Sequence, residues 1–530
     1  MKSKKLIIIV ISVIFLIILS NFIFSQVLKN PLVSGEKFGP LVLGVSRLIP
    51  REISTIESTS FQGLTTPRSS PDQMLVYDIS ELSHEDELKA RVFQGLLNRE
   101  KPILYLIGSE KDEFWLEQIS AEKTVVSDLD YSNYPTIKYD VDSVKQKYLA
   151  ITLSGVYDAI PVTSAEDPIY DLTILSEEEI NMLVLEVSKE TNKNMISFRD
   201  GKIDHIDFIV KNKMIMSSLA LSGEDSPMPV YHKSTTEAEI SDEIMSQMNP
   251  DCAMVGYNIN PGIIGEVETI GYLSEKGCFS LPIPGVPNLS FLSALERAKP
   301  THSTPISNIT LEDKVYVVII LSDGDNLDLP YSKYKSFSQQ HETPLAWSVS
   351  PFLNEFAPNM FEYYSSNLPQ GDTLVVAPSG GGFIYPSTYK YFPAFVEHTD
   401  KFMKESDLKY IWLLDIAFRG YSPEMLDEFS QISNGLFMEY TILQPYSKSI
   451  EFYNDNPAVW SAAFVEKDGN IAERIVERTP KERPAFLFIG TEMRYNFPKH
   501  IDSEIAQLSD DYEVVSVPEF IDLIKQSRIL

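Results

Sequence analysis

Val315-Tyr316-Val317-Val318-Ile319-Ile320-Leu321, followed at once by Ser322-Asp323-Gly324-Asp325-Asn326, is the stretch on which the fold turns. Seven apolar residues in a row read as a buried strand. Two acids, a glycine and an amide then mark the point where that strand opens into a loop. In a β/α unit this is the carboxyl end, where ligands bind.

The same alternation continues outward from it. Apolar strand candidates recur at 344–350, 373–378, 410–415, 435–441, 458–464, 484–490 and 513–517, with helical patterns between most of them, such as 471–478 and 518–526. Eight strands with crossovers in little more than 200 residues predict a (β/α)-barrel-like domain over 301–530. A seven-stranded or distorted barrel fits equally, and an open doubly wound sheet is the alternative. Upstream, 74–79, 85–98 and 103–107 read as strand, helix and strand, with Ser83 as N-cap. Residues 71–300 are therefore expected to form one or more smaller α/β units.

The N-terminus differs. Lys2, Lys4 and Lys5 precede an apolar run over 6–24, the pattern of a signal peptide or signal-anchor over 1–30. The lack of a good small-x-small cleavage site favours the uncleaved anchor. Positive charge stays inside, so the expected location is extracytoplasmic, membrane-anchored or secreted. Residues 31–70, rich in Ser, Thr and Pro, read as a flexible linker. A net charge of −30 makes a nucleic-acid partner unfavourable. Two cysteines, Cys252 and Cys278, exclude a disulfide scaffold and leave open a single bridge.

A second unusual run, Gly380-Gly381-Gly382-Phe383-Ile384-Tyr385-Pro386, follows the strand candidate at 373–378. It resembles the signature of the GxGYxYP family of putative glycoside hydrolases, with Phe383 where the family name has tyrosine. Ser322-Asp323-Gly324-Asp325-Asn326 is similar to that family's acidic motif. Phe93-Gln94-Gly95-Leu96-Leu97-Asn98-Arg99 with Pro102-Ile103-Leu104-Tyr105-Leu106 is similar to its N-terminal region, and Asn288-Leu289-Ser290 to a segment just before its C-terminal domain. The resemblance spans 71–530 and implies a glycoside hydrolase acting on carbohydrate.

Glycoside hydrolysis needs one protonated and one ionised carboxyl group. Polar groups at the strand ends supply candidates: Asp323, Asp325, Asp415, Glu439 and Glu492 for catalysis. Asp323 or Asp325 is the expected charged partner. Glu439, in an apolar setting, is the expected second group. Substrate binding falls to Asn326, Trp347, Trp460 and the turn of Gly380, Gly381, Gly382, Phe383 and Tyr385, read as a sugar-facing wall with exposed N–H groups. No cofactor is expected, although Asp323 and Asp325 would suit a divalent metal. The rival readings are a non-catalytic carbohydrate-binding surface protein and a metal-dependent deacetylase or glycosyltransferase.

Overall fold

The computed structural model describes residues 53–198, 205–217, 236–256, 263–283, 285–301, 309–415, 421–439, 449–467 and 469–529. The expected signal or anchor at 1–30 lies outside these residues. Among the described residues no helix is long and apolar enough to cross a membrane.

The N-terminal region builds three small parallel sheets. Strands Gln73–Asp78 (β1), Leu104–Ile107 (β2) and Glu122–Val125 (β3) form the first, in the order β2-β1-β3. The helix His84–Leu97 crosses from β1 to β2. Ser83 caps it by accepting from Asp86 N, and Glu85, Asp86 and Glu87 occupy the positive end of its dipole. Thr136–Lys138 (β4), Ile160–Val162 (β5) and Tyr170–Asp171 (β6) form the second sheet. Met195–Phe198 (β7), Ile215–Ser217 (β8), Cys252–Val255 (β9) and Cys278–Leu281 (β10) form the third, in the order β10-β9-β7-β8. Cys252 and Cys278 are register partners on β9 and β10 and are joined as a disulfide.

Two stretches that carry the family resemblance meet here across almost 200 residues of sequence. Gln94 Nε2 donates to Asn288 Oδ1 at 2.6 Å, and Asn98 Nδ2 donates to Ser290 Oγ at 2.9 Å. Asn288 in turn pairs with both backbone groups of Leu106. These amides are buried, so each bond satisfies groups that would otherwise be costly to desolvate.

The C-terminal region is a barrel. Its strands are Val315–Ser322 (β11), Ala346–Val349 (β12), Thr373–Val376 (β13), Tyr410–Leu413 (β14), Gly435–Met438 (β15), Ile450–Tyr453 (β16), Asn456–Val465 (β17), Ala485–Glu492 (β18) and Tyr512–Val514 (β19). β11 pairs with β18 along its whole length. Its other edge is shared. β19 takes the first half, from Val315 to Val317, and β12 takes the second, at Ile320 and Leu321. Seven parallel strands thereby close on themselves, which excludes the open sheet. The eighth predicted strand, β19, is a partial filler at the amino end, and β16 forms a hairpin with β17.

Successive residues on each strand face opposite ways. One parity, with Tyr316, Val318 and Ile320 of β11, Trp412 of β14, Phe437 of β15 and Phe488 of β18, forms a single cluster inside the barrel. The helix Val517–Ser527 closes its lower end with Phe520 and Ile521. The other parity packs outward beneath the helices.

Residues 53–70 correct the linker expectation. Phe61 is buried among Phe279, Phe352 and Phe402. Leu64 N donates to Glu355 Oε1 at 2.6 Å, and Arg68 pairs with the same buried carboxylate at 2.9 Å. This segment is a strap laid across the seam between the two regions. Its Ser/Thr/Pro composition hid two strong anchors, Phe61 and Arg68.

Candidate active site

The acidic loop after β11 is pinned from three sides. A Cβ on Gly324 would lie 1.7 Å from the Ser348 carbonyl oxygen, so only glycine fits. Gly324 N donates to Ser348 Oγ at 3.0 Å, and Ser350 N donates to Gly324 O at 2.8 Å. Asn326 Oδ1 accepts from Asp328 N and opens the helix Asp328–Phe337, while Leu327 N donates to Pro282 O just beyond β10. Asn326 is therefore a buried turn residue. Asp325 is half-buried on the same loop.

Asp323 adopts φ 69°, a left-handed conformation that turns the chain out of the barrel. Its Oδ2 lies 3.4 Å from Arg494 Nε, and its Oδ1 accepts from Ser322 Oγ at 3.2 Å. Ser322 is the register partner of Glu492. Asp323, the next residue, and Glu492 thus end adjacent parallel strands, whose backbones run about 4.8 Å apart.

Both carboxyls hold their protons more tightly than usual. Desolvation raises Asp323, against the opposing pull of Arg494 and Ser322. With 39 % of that side chain still accessible, the desolvation is partial, and it is the direction that matters. Desolvation also raises Glu492, reinforced by the charges of Asp323 and Glu466 and opposed by Arg494. Glu466, just past β17, is part of this cluster.

Glu439 and Asp415 lie deeper, both fully buried. Glu439 shares the inward parity of Phe437, and a Cβ on Gly490 would lie 2.7 Å from its Oε2. Gly490 precedes Glu492 by two residues on the same face of β18. Asp415 Oδ2 accepts from Ser387 N at 2.8 Å. Burial keeps Tyr421 protonated, with the Asp415 and Glu439 charges adding to the effect. Asp323, Glu492, Glu439 and Asp415 are thereby brought to one end of the barrel, in two tiers. Arg419 and Tyr440, which flank the deeper pair in sequence, lie outside the described residues.

The glycine run does not form a sugar-facing wall. Gly380, Gly381 and Gly382 are buried, with φ 124° at Gly380 and 103° at Gly382. A Cβ would lie 2.5 Å from the His398 ring at Gly381, and 2.4 Å from Phe279 at Gly382. Their N–H groups are used internally, Gly381 N by Thr399 Oγ1 at 2.9 Å and the others by backbone carbonyls. Phe383 forms a two-bond bridge with Ser280 of β10, at 2.8 and 3.0 Å. Tyr385 is fully buried and its N donates to Ser274 Oγ. Behind the turn, the His398 ring nitrogens lie 2.5 Å from Asp251 Oδ2 and 2.7 Å from Gly381 O, and Tyr389 OH donates to Asp251 Oδ1. Gly382 lets the two regions approach closely, while Gly380 and Gly381 make room for the helix that carries Phe395, His398 and Thr399; the resemblance-bearing turn is a seam.

Trp347 and Trp460 are likewise displaced from the substrate role. Each sits on the outward parity. Trp347 is buried against Phe337, and its Nε1 donates to Asp372 Oδ2 at 2.6 Å. Trp460 packs edge-on to Tyr421. The exposed rings at this end of the barrel are Tyr495 and Phe497, in the loop directly after Glu492. Sequence reasoning passed over them. The available signal was two aromatics alternating with polar residues just past a strand-end acid. Among the described residues no group of three or more His, Cys, Asp or Glu side chains is arranged to hold a metal ion, and Asp323 instead faces Arg494.

Residues 313–525 match the family described as GxGYxYP putative glycoside hydrolase C-terminal domain. The barrel is a GxGYxYP C-terminal domain. A solved structure described as a putative hydrolase from Bacteroides thetaiotaomicron VPI-5482 superposes with a TM-score of 0.72 at 17 % identity, over 90 % of this chain and 98 % of that one. At that identity the likeness establishes a shared fold, and it extends beyond the GxGYxYP domain into the N-terminal region. A 4-alpha-glucanotransferase from Thermococcus litoralis matches 40 % of each chain at 9 % identity with a TM-score of 0.24, too low to carry an argument. No curated protein matches the chain. In this GxGYxYP domain the motif that gives the family its name lies in the seam, and the polar cluster lies on β11, β17 and β18.

Proposed function

We propose that this protein hydrolyses a glycosidic bond, with Glu492 as proton donor and Asp323 as its ionised partner. The observation that carries the reading is the pair itself: two carboxyls on adjacent strands at the carboxyl end of a barrel, both shifted toward protonation, with one guanidinium between the alternatives. Arg494 contacts Asp323 directly and favours its ionised form. Glu492 faces the Asp323 and Glu466 charges, which favour keeping its proton. As the glycosidic bond breaks, Glu492 gives that proton to the leaving oxygen. In the same step the anomeric carbon is taken either by Asp323, whose glycosyl ester is then hydrolysed by a water that returns a proton to Glu492, or directly by a water that gives its proton to Asp323. The Asp323 charge thus helps Glu492 keep the proton that it donates. The assignment moves the second role from Glu439 to Glu492.

The family match supports carbohydrate as the substrate class. The lysine-led apolar run at 2–24 and the Cys252–Cys278 bridge support an extracytoplasmic setting. The test is release of reducing ends from a panel of polysaccharides by wild type, Glu492→Gln and Asp323→Asn. Release by wild type and its loss in both variants is the expected result. Full activity in Glu492→Gln would remove the assignment.

A further inference from the structure

Tyr495 and Phe497 are the two most exposed aromatic rings among the described residues, at 44 % and 41 %. Both lie within five residues of Glu492. The loop that carries them is fixed. Tyr495 N and Asn496 N both donate to Glu492 O, at 3.3 and 3.1 Å. Asn496 Nδ2 donates to Thr491 Oγ1 at 2.6 Å, and that hydroxyl donates to Val465 O. Met493 and Asn496 are turned inward and buried, which leaves Arg494, Tyr495 and Phe497 outward.

The two rings are met from opposite neighbours of β18, which lies between β17 and β11. Lys467, beyond β17, places its ammonium 5.3 Å from the Tyr495 ring centre. Lys333, on the helix that follows the acidic loop, lies 5.6 Å from the Phe497 ring centre and also donates to Arg494 O at 3.1 Å. Each ammonium sits over one ring face and is attracted to it. Exposed rings held rigidly beside a carboxylate pair lose hydrophobic stabilisation unless something covers them.

Resting on the hydrolase reading, we infer that Tyr495 and Phe497 are stacking platforms for two sugar rings of one glycan chain, one on each side of the Glu492 proton donor. The axial C–H face of a pyranose is apolar and lies flat on an aromatic ring. Its equatorial hydroxyls reach the surrounding Lys333, Lys467, Arg494 and Glu466. Two platforms flanking the acid require a substrate that extends in both directions. The protein therefore takes internal segments of a polysaccharide rather than a single terminal sugar.

The test is affinity electrophoresis of the full chain in gels containing soluble starch, xylan, galactomannan, mixed-linkage β-glucan or pullulan. It uses Glu492→Gln to prevent turnover. This variant is expected to be retarded by at least one of the five. Adding Tyr495→Ala or Phe497→Ala is expected to weaken the retardation at least fivefold, with unchanged melting temperature because both rings are exposed. Phe497→Trp is expected to restore it and to give indole emission that responds to the retained polysaccharide. Equal retardation of the double alanine variant, or none of Glu492→Gln by any of the five, overturns the inference. Reducing ends released without dependence on the rings overturn it while leaving the hydrolase standing. Ring-dependent retardation with no reducing ends supports it and removes the hydrolase.

Discussion

The turn at 380–386 and the loop at 492–497 each lie just beyond the carboxyl end of a barrel strand, one after β13 and one after β18. The first is buried, uses its own N–H groups, and bonds to β10 of the N-terminal region. The second is solvent-facing and presents a carboxylate, a guanidinium and two rings. Their sequences suggest the reverse ranking, since three consecutive glycines stand out and Glu-Met-Arg-Tyr-Asn-Phe does not. Glycine enrichment measures how closely backbones must approach. It does not report where solvent and ligand reach.

Glu492→Gln tests the contrast most severely. Its activity is expected to fall by about 10²–10⁴-fold, the usual contribution of a positioned acid. Its melting temperature at pH 7 should be equal to wild type or higher. Glu492 binds its proton more tightly folded than unfolded. Its stabilising contribution is thus complete below the unfolded value near ~4.3 and lost as pH rises through the folded one. Near neutrality the charge opposes folding, and glutamine relieves it. A matched loss of activity and stability would place Glu492 with the seam instead.

Gly382→Ala makes the opposite demand. The new methyl meets Phe279, and φ 103° is strained for any side chain. A destabilisation of about 2–4 kcal/mol is expected by denaturant titration. The residual activity should track the folded fraction, with KM unchanged. A selective rise in KM would return the turn to the substrate.

Arg494→Gln sharpens the assignment of roles. Arg494 lowers both Asp323 and Glu492. Its removal should shift both limbs of the kcat/KM profile to higher pH, by roughly one unit. A profile that does not move would separate Arg494 from the pair. Trp347→Phe has the smallest expected effect. It loses the buried bond to Asp372, about 1–3 kcal/mol of stability, with no change in KM for polysaccharide.

Much of the frame was legible. All seven strands of the closed barrel appear as apolar runs, because strands buried on both faces need apolar residues at nearly every position. That same property hid the site. With no alternation, the outward parity of Trp347 and Trp460 and the inward parity of Glu439 could not be read from the chain. Asp323 and Glu492 were both visible as strand-end acids. Their adjacency was not, because it depends on β11 pairing with β18 across 170 residues of sequence. The strap at 53–70 was misread for a different reason: serines, threonines and prolines suit a docked extended segment as well as a mobile one.

The strand edge at Ser280–Pro282 has a practical corollary. It is bonded both to Phe383 and to Leu327, and Phe279 beside it fills the space over Gly382. Cutting the chain near residue 313 would bare this whole surface to water. Residues 313–525 are accordingly a unit of sequence ancestry and not a portable body. A chimera that grafted only that stretch onto another protein would carry every acid along and arrive without the partner that holds their loops in place.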